Sequence, residues 1–178
     1  QKEKNTDWST EIKERVFHSF HRVPITVEEL QLKETTGTHQ RVIDMVAHEL
    51  ITKERIEEWK ELPGVAPGVD ISRDIVKLAA IERHKNTGHV GLGFLGKYGL
   101  KKGAVATSIG HDSHNLVIAG VTDEDMVLAG NRVIENGGGL AIALEGKVLA
   151  DLPLPIGGLM ADEPVEVVDE KLEHMKKL

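Results

Sequence analysis

The chain has 178 residues, 40% hydrophobic and only 3% aromatic, so its core must be filled by Val, Ile, Leu and Ala. With 22 Lys and Arg against 29 Asp and Glu, the net charge of −7 argues against a nucleic-acid surface, which relies on clustered cations. The absence of cysteine excludes disulfides, thiolate metal sites and a Cys nucleophile; no apolar run approaches the roughly 18 residues of a membrane span, and no signal peptide is visible, so the expectation is a cytoplasmic protein without a membrane partner.

Near the start, Trp8, Ile12 and Val16 recur at helical spacing and predict a short helix, with a strand near its end as the alternative, before Pro24. His18 and His21 read as surface or partly packed residues rather than ligands. Thr26 and Glu29 have capping-box spacing and predict a turn of helix. Residues 1–38 together read as a connector, and 39–178 as the domain proper. From His39 to Leu50 the alternation predicts a strand; Ile51 to Trp59 is either a further strand or a short charged helix. Pro63-Gly64 and Pro67-Gly68 mark a loop. Ile75 to Ile81 predicts a buried strand running into Glu82-Arg83-His84, where the plain reading is an exposed turn. A Gly-x-Gly-x-x-Gly occurs at 91–96, but no dinucleotide-type strand precedes it and no helix follows, so these glycines are assigned to close backbone approach and turns with positive φ.

Residues 104–120 hold two strand-like apolar runs around His111-Asp112-Ser113-His114-Asn115. Burying such groups without partners costs roughly 1–3 kcal/mol each, so each must be satisfied or used. The cluster is either a solvated hairpin loop of ordinary turn residues or a functional site. Two histidines at i, i+3 beside an Asp lack the third partner that a metal site needs. Thr122 then caps a helix with acids in its first turn, ended by Asn136-Gly137-Gly138-Gly139. Leu140–Leu144 and Val148–Leu152 predict a β-hairpin, and a Pro- and Gly-rich turn leads to a last helix over Glu163–Lys177. The fold class expected is α+β (or α/β), a short-stranded mixed sheet with two or three helices.

Several of these stretches together resemble a known family. They are Ala79-Ala80-Ile81-Glu82-Arg83-His84-Lys85-Asn86-Thr87-Gly88, Gly99-Leu100-Lys101-Lys102-Gly103-Ala104, His111–Asn115, Thr122-Asp123-Glu124-Asp125-Met126, Gly137–Gly139 and Leu152-Pro153-Leu154-Pro155-Ile156-Gly157-Gly158-Leu159-Met160. In order and spacing, from about residue 23 to about residue 170, the chain resembles the C-terminal domain of the bacterial and archaeal adenine deaminases of the amidohydrolase superfamily. That superfamily holds one or two divalent metals, here manganese or iron, in a (β/α)₈ barrel through a His-x-His pair and further ligands. This chain has no His-x-His and is too short for a barrel of about 250 residues. Nor, without cysteine, does it carry the zinc nucleobase deaminase signature. The resemblance therefore implies a C-terminal piece, or a stand-alone relative of one, whose partners are adenine, an N-terminal barrel and further copies of itself.

The reaction implied is hydrolysis of adenine to hypoxanthine and ammonia, in purine salvage. On this reading the loop closes over the barrel mouth: His111 and His114 move protons or bind ring nitrogens, Asp112 orients an imidazole, Ser113 adds a polar contact and Asn115 reads a base edge. Glu82 and His84 are substrate-binding candidates at the neighbouring strand end. The competing reading is a structural or oligomerisation domain whose polar cluster is a satisfied interface network.

Overall fold

The structure is a computed structural model that describes residues 9–32 and 37–178. Trp8, the first apolar residue of the predicted N-terminal helix, lies outside the described residues. The helix itself, α1 (Thr10–Phe17), starts at Ser9, whose hydroxyl accepts from the Ile12 N–H at 3.4 Å. The one-turn α2 (Val27–Leu30) follows; its Thr26 N–H donates to Glu29 Oε2 at 3.0 Å, as the capping-box spacing requires.

The strands are β1 (His39–Met45), β2 (Thr52–Glu58), β3 (Ile75–Ile81), β4 (Val90–Gly96), β5 (Ala104–Thr107), β6 (Leu116–Gly120), β7 (Gly139–Leu144) and β8 (Lys147–Pro153). They form one sheet in the order β2-β1-β4-β3-β6-β5-β7-β8. Every neighbouring pair is antiparallel except β1 and β4, so the sheet is mixed. With α3 (Asp123–Glu135) and α4 (Val165–Met175) the architecture is the expected α+β, with no barrel. Four helices are described rather than two or three, because two short ones precede the sheet.

The local differences have local causes. The strand predicted through Leu50 stops at Met45, since His48 takes a left-handed φ of 63° and the Glu49 N–H closes a turn on the Val46 carbonyl at 3.1 Å. The charged segment after it is a strand, because its full length pairs with β1 from His39↔Glu58 to Met45↔Thr52. The glycine-rich 91–96 stretch lies inside β4, paired along its length with β3; it opens no helix. Of its neighbours, Gly88 and Gly99 do take positive φ, and Gly96 does permit a close approach, since a Cβ there would collide with the Asp44 carboxylate.

The main core joins one face of the sheet to α3. Ala79, Ile81, Leu116, Ile118, Ala104, Ala106, Ala141 and Ala143 meet Met126, Ala129 and Val133. Alanine on three strands lets α3 approach closely, which explains how a chain poor in aromatics packs densely. Ile25 and Leu30, from the segment expected to be a connector, are 2% and 0% exposed and belong to this same cluster. Asn131 anchors that segment, donating to the Ile25 carbonyl at 3.0 Å and accepting its N–H at 2.8 Å. On β7 and β8, Leu140, Ile142, Ala150 and Leu152 pack against Val168, Leu172 and Met175 of α4.

Candidate functional site

The sheet order brings several connecting segments to one end. β3 runs out at Ile81 beside Leu116 and Val90, Thr107 faces both Val117 and Leu140, and Gly139 faces Pro153. The loop after β3, the His111–Asn115 loop, the glycine turn before β7 and the turn after β8 therefore gather there. The end of α1 and the segment after it join them: the Gly157 N–H donates to the Val16 carbonyl at 2.9 Å and the His21 N–H to the Arg83 carbonyl at 2.8 Å.

The His111–Asn115 stretch is the tip of the β5–β6 hairpin. Its His111, Asp112 and Ser113 are exposed, and His114 and Asn115 are half-buried. Nδ1 of His111 and Oδ1 of Asp112 lie 3.0 Å apart, on side chains 95% and 90% exposed. Internally the Ser113 N–H bonds the His111 carbonyl at 3.0 Å and the His114 N–H bonds the Gly110 carbonyl at 2.7 Å. This tight winding puts Asp112 at φ 68° and His114 at φ 47°. Asp and His are among the residues that enter the left-handed region most readily, so the loop's own sequence and hydrogen bonds permit this winding.

The loop after β3 holds it. His84 Nε2 lies 2.9 Å from the Ser113 carbonyl. A carbonyl only accepts, so this contact places the His84 proton on Nε2. Arg83 reaches further, its Nε donating to the His114 carbonyl at 2.6 Å and a terminal nitrogen donating to the Gly157 carbonyl at 3.2 Å. Its guanidinium lies 4.9 Å from the centre of the Phe20 ring. Burial lowers the Arg83 pKa from its ordinary value. Two buried nitrogens, one terminal nitrogen of Arg83 and Nδ1 of His114, have no partner among the described residues.

Glu82 turns back on its own loop. Its carboxylate accepts from the N–H groups of His84, Lys85 and Thr87 and from the Thr87 hydroxyl, the last three at 2.7, 2.9 and 2.9 Å. These bonds, led by the Thr87 N–H, hold its pKa down at about 2. Glu82 thus orders the turn from which Arg83 and His84 reach across.

Two features escaped the sequence reading. Arg83 stood between two candidates without being one, although period 2 along β3 puts it on the face of Ala79 and Ile81, both fully buried. Ser108 is also fully buried; its hydroxyl accepts from the Gly139 N–H at 2.7 Å and donates to the Gly158 carbonyl at 2.6 Å. It ties together the two glycine turns, which touch so closely that a Cβ on Gly138 would collide with the Gly158 backbone. No local pattern marks such a serine.

No group of three His, Cys, Asp or Glu side chains that could hold a metal ion exists among the described residues. The chain's described side chains therefore do not fit the divalent metal implied by the resemblance. No helix among the described residues is long and apolar enough to cross a membrane.

Comparison with known proteins bears on the whole chain. A profile of the adenine deaminase C-terminal domain matches residues 49–178. The chain is 42% identical over 158 residues to an adenine deaminase of Lysinibacillus sphaericus, covering 88% of this chain and 27% of that protein. It is 48% identical over 151 residues to an adenine deaminase of Oleidesulfovibrio alaskensis, covering 85% and 26%. A third, from Kosmotoga olearia, is 49% identical over 140 residues, covering 79% and 24%. The chain spans about a quarter of the length of the curated relatives it matches. A profile match over most of the chain, continued by the relatives, shows that it belongs to the adenine deaminase C-terminal domain family.

Proposed function

We propose that this domain completes the active site of an adenine deaminase, in which adenine and water give hypoxanthine and ammonia. The observation that carries the reading is the His111–Asn115 loop, exposed at its tip, wound through two left-handed residues and held from beneath by Arg83 and His84. Its imidazoles, carboxylate, hydroxyl and carboxamide stand together on a loop gripped by a buried arginine, and binding and catalytic groups concentrate on loops held by a rigid scaffold.

In this proposal the loop faces the substrate at the mouth of an amidohydrolase barrel carried by another domain of the same enzyme. Asn115 reads a purine edge with its carboxamide, which both donates and accepts. His111 and His114 handle the proton that the leaving amino group needs, with Asp112 beside His111 to orient it. Ser113 adds a hydroxyl contact at the exposed tip. Glu82 and His84, proposed from sequence as substrate contacts, act by shaping and bracing the loop. The divalent metal, manganese or iron, belongs to the barrel, and no step here is routed through it. The setting is purine salvage in the cytoplasm.

The test is ammonia release from adenine, first by this chain alone and then with a separately produced barrel domain and Mn²⁺ or Fe²⁺. The expected result is no turnover by the chain alone and turnover on combination. His114→Ala in the combined enzyme is expected to lower kcat by about 10²–10⁴-fold, the range for loss of a proton-transfer group, with thermal stability retained. Unchanged kcat in that variant removes the proposal.

A second reading, a domain for assembly with itself or with the barrel, is favoured by one specific observation. Ile43, Met45 and Ile56 are each 42% to 55% exposed and share one face of the β1–β2 ribbon. It predicts that Ile43→Asp and Ile56→Asp change the oligomeric state in sedimentation while substitutions at His111 and His114 do not.

A further inference from the structure

We propose that Arg83 is a positioning residue of the deaminase, acting on the His111–Asn115 loop through the main-chain carbonyl of His114; this rests on the reading of that loop as the substrate-facing element. Arg83 is 2% exposed and among the largest fully buried side chains of the domain. It forms no ion pair among the described residues: burial is the sole influence on its pKa, with no carboxylate to offset it. A buried guanidinium without a counter-ion is costly, and chains keep one only where its donors do something a neutral side chain cannot.

Here the donors grip backbone. Nε binds the carbonyl of His114 and a terminal nitrogen binds the carbonyl of Gly157, so one rigid plane spans two loops at fixed separation. Phe20 covers the guanidinium from one side. Gly158 presses on it from the turn after β8, where a Cβ would come within 2.6 Å of its terminal nitrogen. The residue it grips is one of the two held in a left-handed conformation. Fixing the His114 carbonyl fixes the backbone that leads out of His114, and with it the direction in which the His114 side chain leaves the loop. Because Arg83 is buried, it reaches no substrate; its effect passes through the loop.

Lysine cannot reproduce this grip, because its ammonium is a point charge that does not span two carbonyls in one plane. In the active deaminase, this domain with its barrel, R83K is expected to lower kcat for adenine at least tenfold while KM changes less than threefold. In an H114A background the same substitution is expected to cost less than twofold, since the side chain it positions is gone. A tenfold loss in that background, or an R83K enzyme with undiminished kcat, overturns the proposal. An H114A enzyme that keeps its kcat overturns the reading of the loop instead, separating the two failures.

A measurement on the unmodified chain guards against a variant that does not fold. The Arg83 Nε–H is expected to exchange slowly with solvent and to show a scalar coupling across the hydrogen bond to the His114 carbonyl carbon. A rapidly exchanging, uncoupled Nε–H overturns the clamp.

Discussion

Glu82 shows how one side chain sets the shape of the candidate site. It accepts four hydrogen bonds from its own loop, and its pKa is held at about 2, below the unfolded carboxylate value of about 4.3. A lowered folded pKa means stabilisation that is present in full above the unfolded value and lost as pH falls through the folded one. The turn over residues 82–88 is therefore expected to stay ordered down to about pH 4 and to loosen towards pH 2, with the Thr87 amide losing exchange protection first; a loop that melts between pH 6 and 5 contradicts this. Gly138 carries a second prediction at this scale. Its φ of 127° and its contact with the Gly158 backbone leave no room for a methyl group, so Gly138→Ala is expected to destabilise the domain by at least about 2 kcal/mol in denaturant unfolding.

Among the elements, β3 and α3 hold the molecule's centre. β3 carries Lys77, fully buried, whose ammonium meets Asp123 in the first turn of α3 at 2.6 Å. The pair pins the start of the helix to the middle of the sheet, and Asp123 also lies where the helix dipole favours a negative charge. Removing one partner strands the other: Lys77→Met is expected to cost about 3–5 kcal/mol, whereas adding Asp123→Leu in the same chain is expected to recover most of it. Equal stability of the single and double variants in urea contradicts a buried pair. Across the same helix–sheet contact, Ile118→Ala leaves a cavity beneath α3 and is expected to cost about 2–5 kcal/mol.

For the whole molecule, two polar systems sit at opposite ends of β3. At the β3 C-terminal end lies the loop cluster around Arg83. At the other end Arg55 and Arg73 bind Asp44, Glu57 and Asp70, joining the β1–β2 ribbon to the turn before β3. The Ser72 hydroxyl, followed by Arg73, holds the Asp70 carboxyl down at about 2. By the same linkage the stabilisation from Asp70 is complete above about pH 4 and disappears as pH falls towards 2, so the thermal midpoint is expected to drop across that interval. Opening of the β1–β2 ribbon ahead of the α3 core in acid, followed by amide exchange, is the accompanying expectation.

Much of the local structure was legible from the residues alone, because it depends on neighbours in the chain. β3 and the β7–β8 hairpin followed from apolar runs and turns, and α3 from Thr122, its acidic first turn and the glycines behind it. So did the His111–Asn115 cluster, since polar residues between two core strands stand out in any order of the sheet. Contacts distant in sequence were not legible: the parallel pairing of β1 with β4, the burial of Ile25 and Leu30 under the sheet, and the reach of Arg83 across 31 positions to His114. The sequence by itself determined which segments bend, which pair locally and where polar groups interrupt the core, because period and turn chemistry act within a few residues. Only the tertiary structure decided that Arg83, Ser108 and Gly158 converge behind the loop, because that convergence is set by the order of eight strands in one sheet.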